Sequence, residues 1–263
     1  MAGPVILQPD PDGVARITLN RPEVGNAIDL PMAQALLEAA IVCDADPDIR
    51  CVLLTGAGRF FCTGGDVAAF ADAGPQLPVF LKEITDYLHA AMGRLMRMPK
   101  PLVTAINGPA AGAGIGLAVM GDFALAAPKT HFTLAYTGLG LSPDGGATWL
   151  LPRIVGMRRA QELCLLNERI DASGAAEIGL VTRVAEADAL DAEAMSLARR
   201  LAAGPSLALG ATRRLLLDSL DAPLEAQLEA ESRSIAALSR TPDGLEGVAA
   251  YLERRPARFK GKT

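Results

Sequence analysis

Two short, almost wholly apolar runs, Cys51–Thr55 and Leu102–Ile106, constrain the fold more than any other feature of the chain. Each is too short for a buried helix and is followed directly by a glycine or by Asn-Gly, so each reads as a strand. A strand apolar on successive residues has both faces covered, which is the situation of a parallel sheet between layers. Asp29 and Pro31 stand where an N-cap and a first helical turn belong, and the pattern runs to about Asp44. A longer helical pattern covers Leu77–Met98 and stops before Pro99-Lys100-Pro101. Val5–Leu7 and Val14–Leu19 are β-runs around a Pro/Asp/Gly turn, and Phe123–Ala126 and Leu180–Val184 are further strand candidates. A helix is expected near Ile115–Met120. From about Glu186 the text is helical, with breaks at Gly204-Pro205, Pro223 and Pro242. Strands alternating with helices predict an α/β core, residues 1–203, followed by a helical region, 204–263.

Composition narrows function by exclusion. The chain has 263 residues, 25 Lys plus Arg, 30 Asp plus Glu and a net charge of −5, so no overall basic field invites nucleic acid. Aromatic residues are 4% of the total, too few for base-stacking platforms. His89 and His131 are the only histidines and no Cys-x-x-Cys pair occurs, which argues against a zinc site. The four cysteines lack framework spacing and suit buried thiols in a reducing compartment. The first residues lack a basic segment and a long apolar core, so no signal peptide is expected. The apolar stretch Pro101–Pro128 holds Asn107, Pro109 and Asp122 and reads as strand, loop and helix, not a membrane span. A cytoplasmic location is the expectation.

Three segments of small residues stand out. Gly58–Asp66 follows a strand with paired glycines, suited either to a tight turn or to close approach of the backbone to a ligand. Asn107–Gly116 lies between a strand and a helix start, where unpaired N–H groups favour negative charge. A dinucleotide fingerprint would need Gly or Ala at position 117, which is Leu117, and no Gly-Lys-Ser/Thr follows. Dense packing of small residues is the alternative there. In Leu141–Gly146, Asp144 precedes two glycines, as a helix N-cap or as a catalytic carboxylate.

Together these segments are far more specific than any one. With Ile17–Pro22, Asn26-Ala27, Leu54–Gly56, Phe61–Asp66, Lys100-Pro101, Ala105–Gly108, Ala111–Gly114 and Gly138–Gly146, the chain resembles the crotonase superfamily, the enoyl-CoA hydratase/isomerase family. Arg153–Gly156, Ala176–Val181 and Arg255–Phe259 extend the resemblance over essentially the whole length. It implies an α/β fold, the crotonase spiral of ββα units, with a C-terminal α-helical trimerisation region and a homotrimer or homohexamer. It implies an acyl-CoA substrate, with the N–H groups of Gly65 and Ala113 as an oxyanion hole for the thioester oxygen. CoA is then expected against Val24 and the stretch Thr63, Gly64, Asp66 and Val67, beside Gly112. A lysine of the basic C-terminus, Lys260, is expected at the 3′-phosphate, among Arg254, Arg255, Arg258 and Lys262; a solvated basic tail is the alternative. No metal, redox cofactor, nucleic acid or membrane partner is implied; CoA enters as part of the substrate.

The resemblance also places the two glutamates of typical hydratases, at positions that here are Gly116 and Tyr136. Standard enoyl-CoA hydration is therefore not expected. Asp144 stands where other branches carry their working carboxylate, and Leu139–Gly146 with Trp149–Arg153 looks most like 1,2-epoxyphenylacetyl-CoA isomerases. One carboxylate suffices to move a double bond, taking a proton from one carbon and returning it at another. The competitor is a 4-chlorobenzoyl-CoA dehalogenase-like hydrolase, in which Asp144 attacks the ring, His89 activates water and Tyr136 replaces a tryptophan. As a plain helical residue, His89 reads as half-buried packing; Tyr136 reads as a pocket lining, a hydrogen-bond donor or a core residue; His131 reads as structural. A hydratase-family lyase with an altered site and a non-catalytic acyl-CoA-binding protein are the remaining alternatives.

Overall fold

The computed structural model describes residues 3–186 and 188–261. Strands β1 (Val5–Pro9) and β2 (Val14–Leu19) form an antiparallel hairpin. Helix α1 (Leu30–Ala45) starts where the N-cap signal put it, with the Asp29 carboxylate accepting the Met32 N–H at 2.9 Å. β3 (Cys51–Gly56), β4 (Leu102–Ile106), β6 (Phe123–Ala126) and β9 (Arg183–Val184) continue the sheet in parallel, giving the six-stranded order β1-β2-β3-β4-β6-β9.

The side chains of the central strands alternate between two apolar layers, which is why their sequence is continuous. Val52, Leu54, Leu102 and Ile106 face the layer of α1 and α3 (Leu77–Arg97). Cys51, Leu53, Val103 and Ala105 face Leu190, Ala194, Ala198 and Ala202 on α8 (Leu190–Ala202). A 3.6-residue repeat with alanine at three of those four positions lets the helix lie close on the sheet. Lys100 closes the C-terminal end of α1, donating from Nζ to the carbonyls of Cys43 at 2.5 Å and Asp46 at 2.6 Å.

A second, smaller sheet carries the site. It pairs β5 (Ala110–Ala111) in parallel with β7 (His131–Thr133), and β7 antiparallel with β8 (Ile170–Asp171). Two parallel bridges, Cys62 with Ala110 and Ile28 with Gly65, extend this layer across the first glycine loop. Between and after these strands lie α2 (Val67–Ala73), α4 (Ala113–Val119), α5 (Ala147–Ile154), α6 (Gly156–Leu166) and α7 (Ala172–Glu177). The chain ends in α9 (Ser206–Asp218), α10 (Leu224–Leu238) and α11 (Pro242–Glu253), separated at the proline breaks.

One expectation needs correction, and one of two alternatives falls away. Of Leu180–Val184 only Arg183 and Val184 are strand; Leu180 and Val181 bury their side chains in a turn. The helix after Asp144 is capped by Gly146, and Asp144 makes no side-chain cap. Among the described residues no helix is long and apolar enough to cross a membrane, and Pro101–Pro128 folds as strands and a short helix.

Candidate active site

The first glycine loop approaches the start of α4 through backbone alone. Gly64 has φ +91°, and a Cβ there would lie 2.8 Å from the Ala111 carbonyl oxygen and 3.3 Å from the Ala113 nitrogen. The Ile28 N–H donates to Gly64 O at 2.7 Å, and the Asp66 N–H donates to Ile28 O at 2.9 Å. In a parallel bridge these flanking groups do the pairing, so the Gly65 N–H points away from Ile28. Ala113 is the first residue of α4, where an amide has no acceptor within its own helix. Gly65 and Ala113 both line one cavity of about 250 Å³.

Neighbouring side chains hold this loop. Buried Asn26 donates from Nδ2 to the carbonyls of Ala57 and Phe60 at 2.9 and 2.8 Å, and its Oδ1 accepts the Arg21 N–H at 2.8 Å. Asn107 accepts the Gly56 N–H at 3.1 Å and donates to Gly58 O at 3.0 Å. Asp66 caps α2 and pairs with Arg21 at 3.1 Å, so its carboxylate is engaged in the scaffold. These supports were visible in the sequence only as motif letters.

Apart from Tyr136 and Asp144, most of the remaining lining is apolar, with Thr63, Thr85 and Ser142 as its hydroxyl-bearing members. Leu81, Ile84, Thr85 and Leu88 present one face of α3 at the spacing i, i+3, i+4, i+7, and Val67, Phe70, Leu134, Leu139 and Leu141 complete the wall. That spacing is the signal that identifies the lining face of α3. Phe70 stands edge-on to Phe80 with ring centroids 6.2 Å apart.

Asp144 and Tyr136 bring the polar chemistry. The Tyr136 hydroxyl donates to Asp144 Oδ1 in a very short hydrogen bond, and both residues line the cavity with Gly65 and Ala113. Burial, and then the Asp144 charge, push the Tyr136 phenol well above its ordinary value of 10. The Tyr136 ring lies against the second glycine segment: a Cβ on Gly112 would be 3.9 Å from Tyr136 Cζ. The Asp144 turn packs on α4 as well, and a Cβ on Gly145 would be 3.2 Å from Ala113 Cα.

Position 116, where the resemblance would place a glutamate, has no room for a side chain. A Cβ on Gly116 would sit 1.9 Å from the Gly145 carbonyl oxygen, so the Asp144 turn fills the space of any side chain there. The Gly145 carbonyl and a side chain at 116 compete for one volume.

His89 does not line this cavity. It is exposed, not half-buried, and its Nε2 accepts the Gly145 N–H at 3.2 Å. It opens on a second chamber of about 480 Å³, with Met92, Met96 and Trp149, and Asp144 lies in the wall shared by both. Thr63 and Val67 line the first cavity, whereas Val24 lies outside it in a short turn with an exposed side chain. Lys260 lines a separate cleft with Asp243, Glu246 and Arg255, and Arg255 is already paired with Glu246 at 2.6 Å. Lys262 lies outside the described residues. His131 sits in β7, its pKa lowered by burial and by Arg169 and Arg59. Among the described residues no group of three or more His, Cys, Asp or Glu side chains clusters as metal ligands.

Gly65, Ala113 and the Asp144 carboxylate thus share one largely apolar cavity, and comparison with known proteins shows the family to which a chain of this fold belongs. Residues 10–262 match the family model described as enoyl-CoA hydratase/isomerase, and the chain belongs to that family. The chain is 39% identical to the 1,2-epoxyphenylacetyl-CoA isomerase of Escherichia coli over 95% of its length and 96% of the relative's. It is 40% identical to a probable enoyl-CoA hydratase of Rhodobacter capsulatus, again covering 95% and 96%. The crystal structure of a putative enoyl-CoA hydratase/isomerase from Mycobacterium abscessus superposes with a TM-score of 0.94 at 35% identity, covering 98% of this chain and all of that one. The fold is thus the crotonase fold with C-terminal helices.

Proposed function

We propose that the protein is an acyl-CoA thioester isomerase in which Asp144 moves the proton. The observation that carries this reading is one carboxylate, held by the Tyr136 hydroxyl, in the same cavity as the amides of Gly65 and Ala113. The thioester oxygen accepts hydrogen bonds from those amides. Asp144 takes a proton from C2 of a 3-enoyl-CoA, the charge passes to the oxygen as a dienolate, and the carboxyl returns the proton to C4. The product is the 2-enoyl-CoA and no atom is gained or lost. Each oxyanion donor contributes roughly 10²–10³ in rate in comparable sites, and a placed general base about 10²–10⁴. The apolar lining suits an alkyl or ring-bearing acyl group, and an epoxyphenylacetyl-type thioester presents the same acidic C2 proton to Asp144. Val24, Thr63, Gly64, Asp66, Val67 and Gly112 supply the backbone against which CoA lies.

Hydration is disfavoured because neither position 116 nor 136 carries a carboxylate to activate water. A dehalogenase-like hydrolase draws support from the triad of residue types Asp144, Tyr136 and His89, yet His89 is turned to a backbone N–H. A silent acyl-CoA-binding protein would need none of these contacts. Leu224, Leu228 and Ile235 on α10 and Leu245, Val248, Tyr251 and Leu252 on α11 are exposed in the single chain, which supports assembly into a homotrimer or homohexamer. The proton shift proposed here requires neither a metal nor a redox cofactor.

A mixed panel of 2-enoyl, 3-enoyl, epoxyphenylacetyl and 4-halobenzoyl thioesters, with products read by mass spectrometry and chromatography, tests the reading. Isomerisation at constant mass is expected. Addition of water or release of halide as the main reaction would overturn it, as would tight binding without turnover.

A further inference from the structure

We infer that His89 is a positioning residue: it holds the Asp144-bearing turn by accepting the Gly145 N–H, and it does not act as a base toward substrate or water. This rests on the proposed role of Asp144 and adds how the carboxylate is kept in place. The Gly145 amide is buried and its partner is His89 Nε2 at 3.2 Å. A buried backbone N–H requires an acceptor, so the turn depends on this contact.

The same glycine is fixed from the other side. Its carbonyl rests on α4 where a Cβ of Gly116 would be 1.9 Å away, and its own missing Cβ would stand 3.3 Å from Ala113 Cβ. Gly145 is therefore wedged between His89 on α3 and the first turn of α4. Asp144, one residue before it, is tied at its carboxylate by Tyr136.

An imidazole nitrogen that accepts an N–H has its lone pair occupied, and the ring proton is then on Nδ1. A base needs that lone pair directed at the reacting atoms. His89 lines the second chamber, which shares Asp144 with the thioester cavity, and is absent from the lining that holds Gly65 and Ala113.

Glutamine separates the two roles, because its side-chain oxygen accepts an N–H near the Nε2 position and cannot serve as a base. His89→Gln and His89→Ala are compared with wild type on a thioester that the wild type isomerises. Hydrogen–deuterium exchange is followed over residues 143–147. His89→Gln should keep kcat within about threefold and retain Gly145 protection. His89→Ala should lose about tenfold or more in kcat, with KM within about twofold, and should exchange Gly145 faster. Equal loss of turnover in both variants with Gly145 protection intact would overturn the inference, and so would full activity and protection in His89→Ala. If the wild type isomerises nothing in the panel, the isomerase reading fails on its own. The exchange data still decide His89: protection lost in the alanine variant and kept in the glutamine variant upholds its hold on the turn, and any other pattern refutes it.

Discussion

Tyr136 shows what a single side chain contributes to the site. Its hydroxyl donates to Asp144 Oδ1 while its ring lies against Gly112, so it both lines the cavity and orients the carboxylate. Tyr136→Phe keeps the ring and deletes the donor. The expected result is a kcat lowered about tenfold with KM within about twofold, measured by steady-state kinetics. Burial and the Asp144 charge raise the phenol above its ordinary value of 10, so the proton that makes this hydrogen bond is retained as pH rises to that value. The kcat profile should therefore show no alkaline fall between about pH 8 and pH 10 from tyrosine ionisation. A fall in that range that disappears in the phenylalanine variant would contradict the assignment.

At the scale of elements, the site depends on how closely the Asp144 turn approaches α4. Gly116→Ala puts a methyl where the Gly145 oxygen now lies, 1.9 Å from the new carbon, and one of the two backbones must move. The expected cost is about 1–3 kcal/mol in denaturant unfolding, with kcat falling more than affinity for CoA esters because Asp144 is displaced. Unchanged stability and turnover would show that the turn is not pinned there. Much of this architecture is legible in the sequence where the signal is local. Asp29 marks α1, the proline pair at 99 and 101 ends α3, and Leu102–Ile106 is strand throughout. What escapes is non-local: β7 and β8 are three and two residues long and exist through pairing in the second sheet. For the same reason Asp144 reads as an N-cap from its neighbours, although its partner Tyr136 lies eight residues back across the turn. The glycine at 116 was legible as a missing carboxylate; its cause, the Gly145 carbonyl, belongs to another loop.

The molecule as a whole encloses three thiols that no chemistry of the site uses. Burial pushes Cys43, Cys51 and Cys62 each up to about 12, from an ordinary value of 9. Because the folded values lie above the unfolded one, the protonated thiols favour the folded state below about pH 9. That contribution is lost as pH rises toward about 12, by up to about 1.4 kcal/mol per thiol per pH unit. Denaturant midpoints should therefore fall steeply between about pH 9 and pH 11, and a thiol reagent at pH 8 should label none of the three before unfolding. Rapid labelling of any of these three in the native protein would refute this burial; Cys164 is only partly buried and is expected to react earlier. Under the proposed reaction Asp144 performs the proton transfer while the backbone amides hold the thioester, and Asp144→Asn separates the two tasks. Turnover and acyl-CoA affinity are measured on the same preparation. Turnover should fall about 10³-fold or more with the dissociation constant within about threefold of wild type; turnover that survives the substitution would rule out Asp144 as the proton carrier.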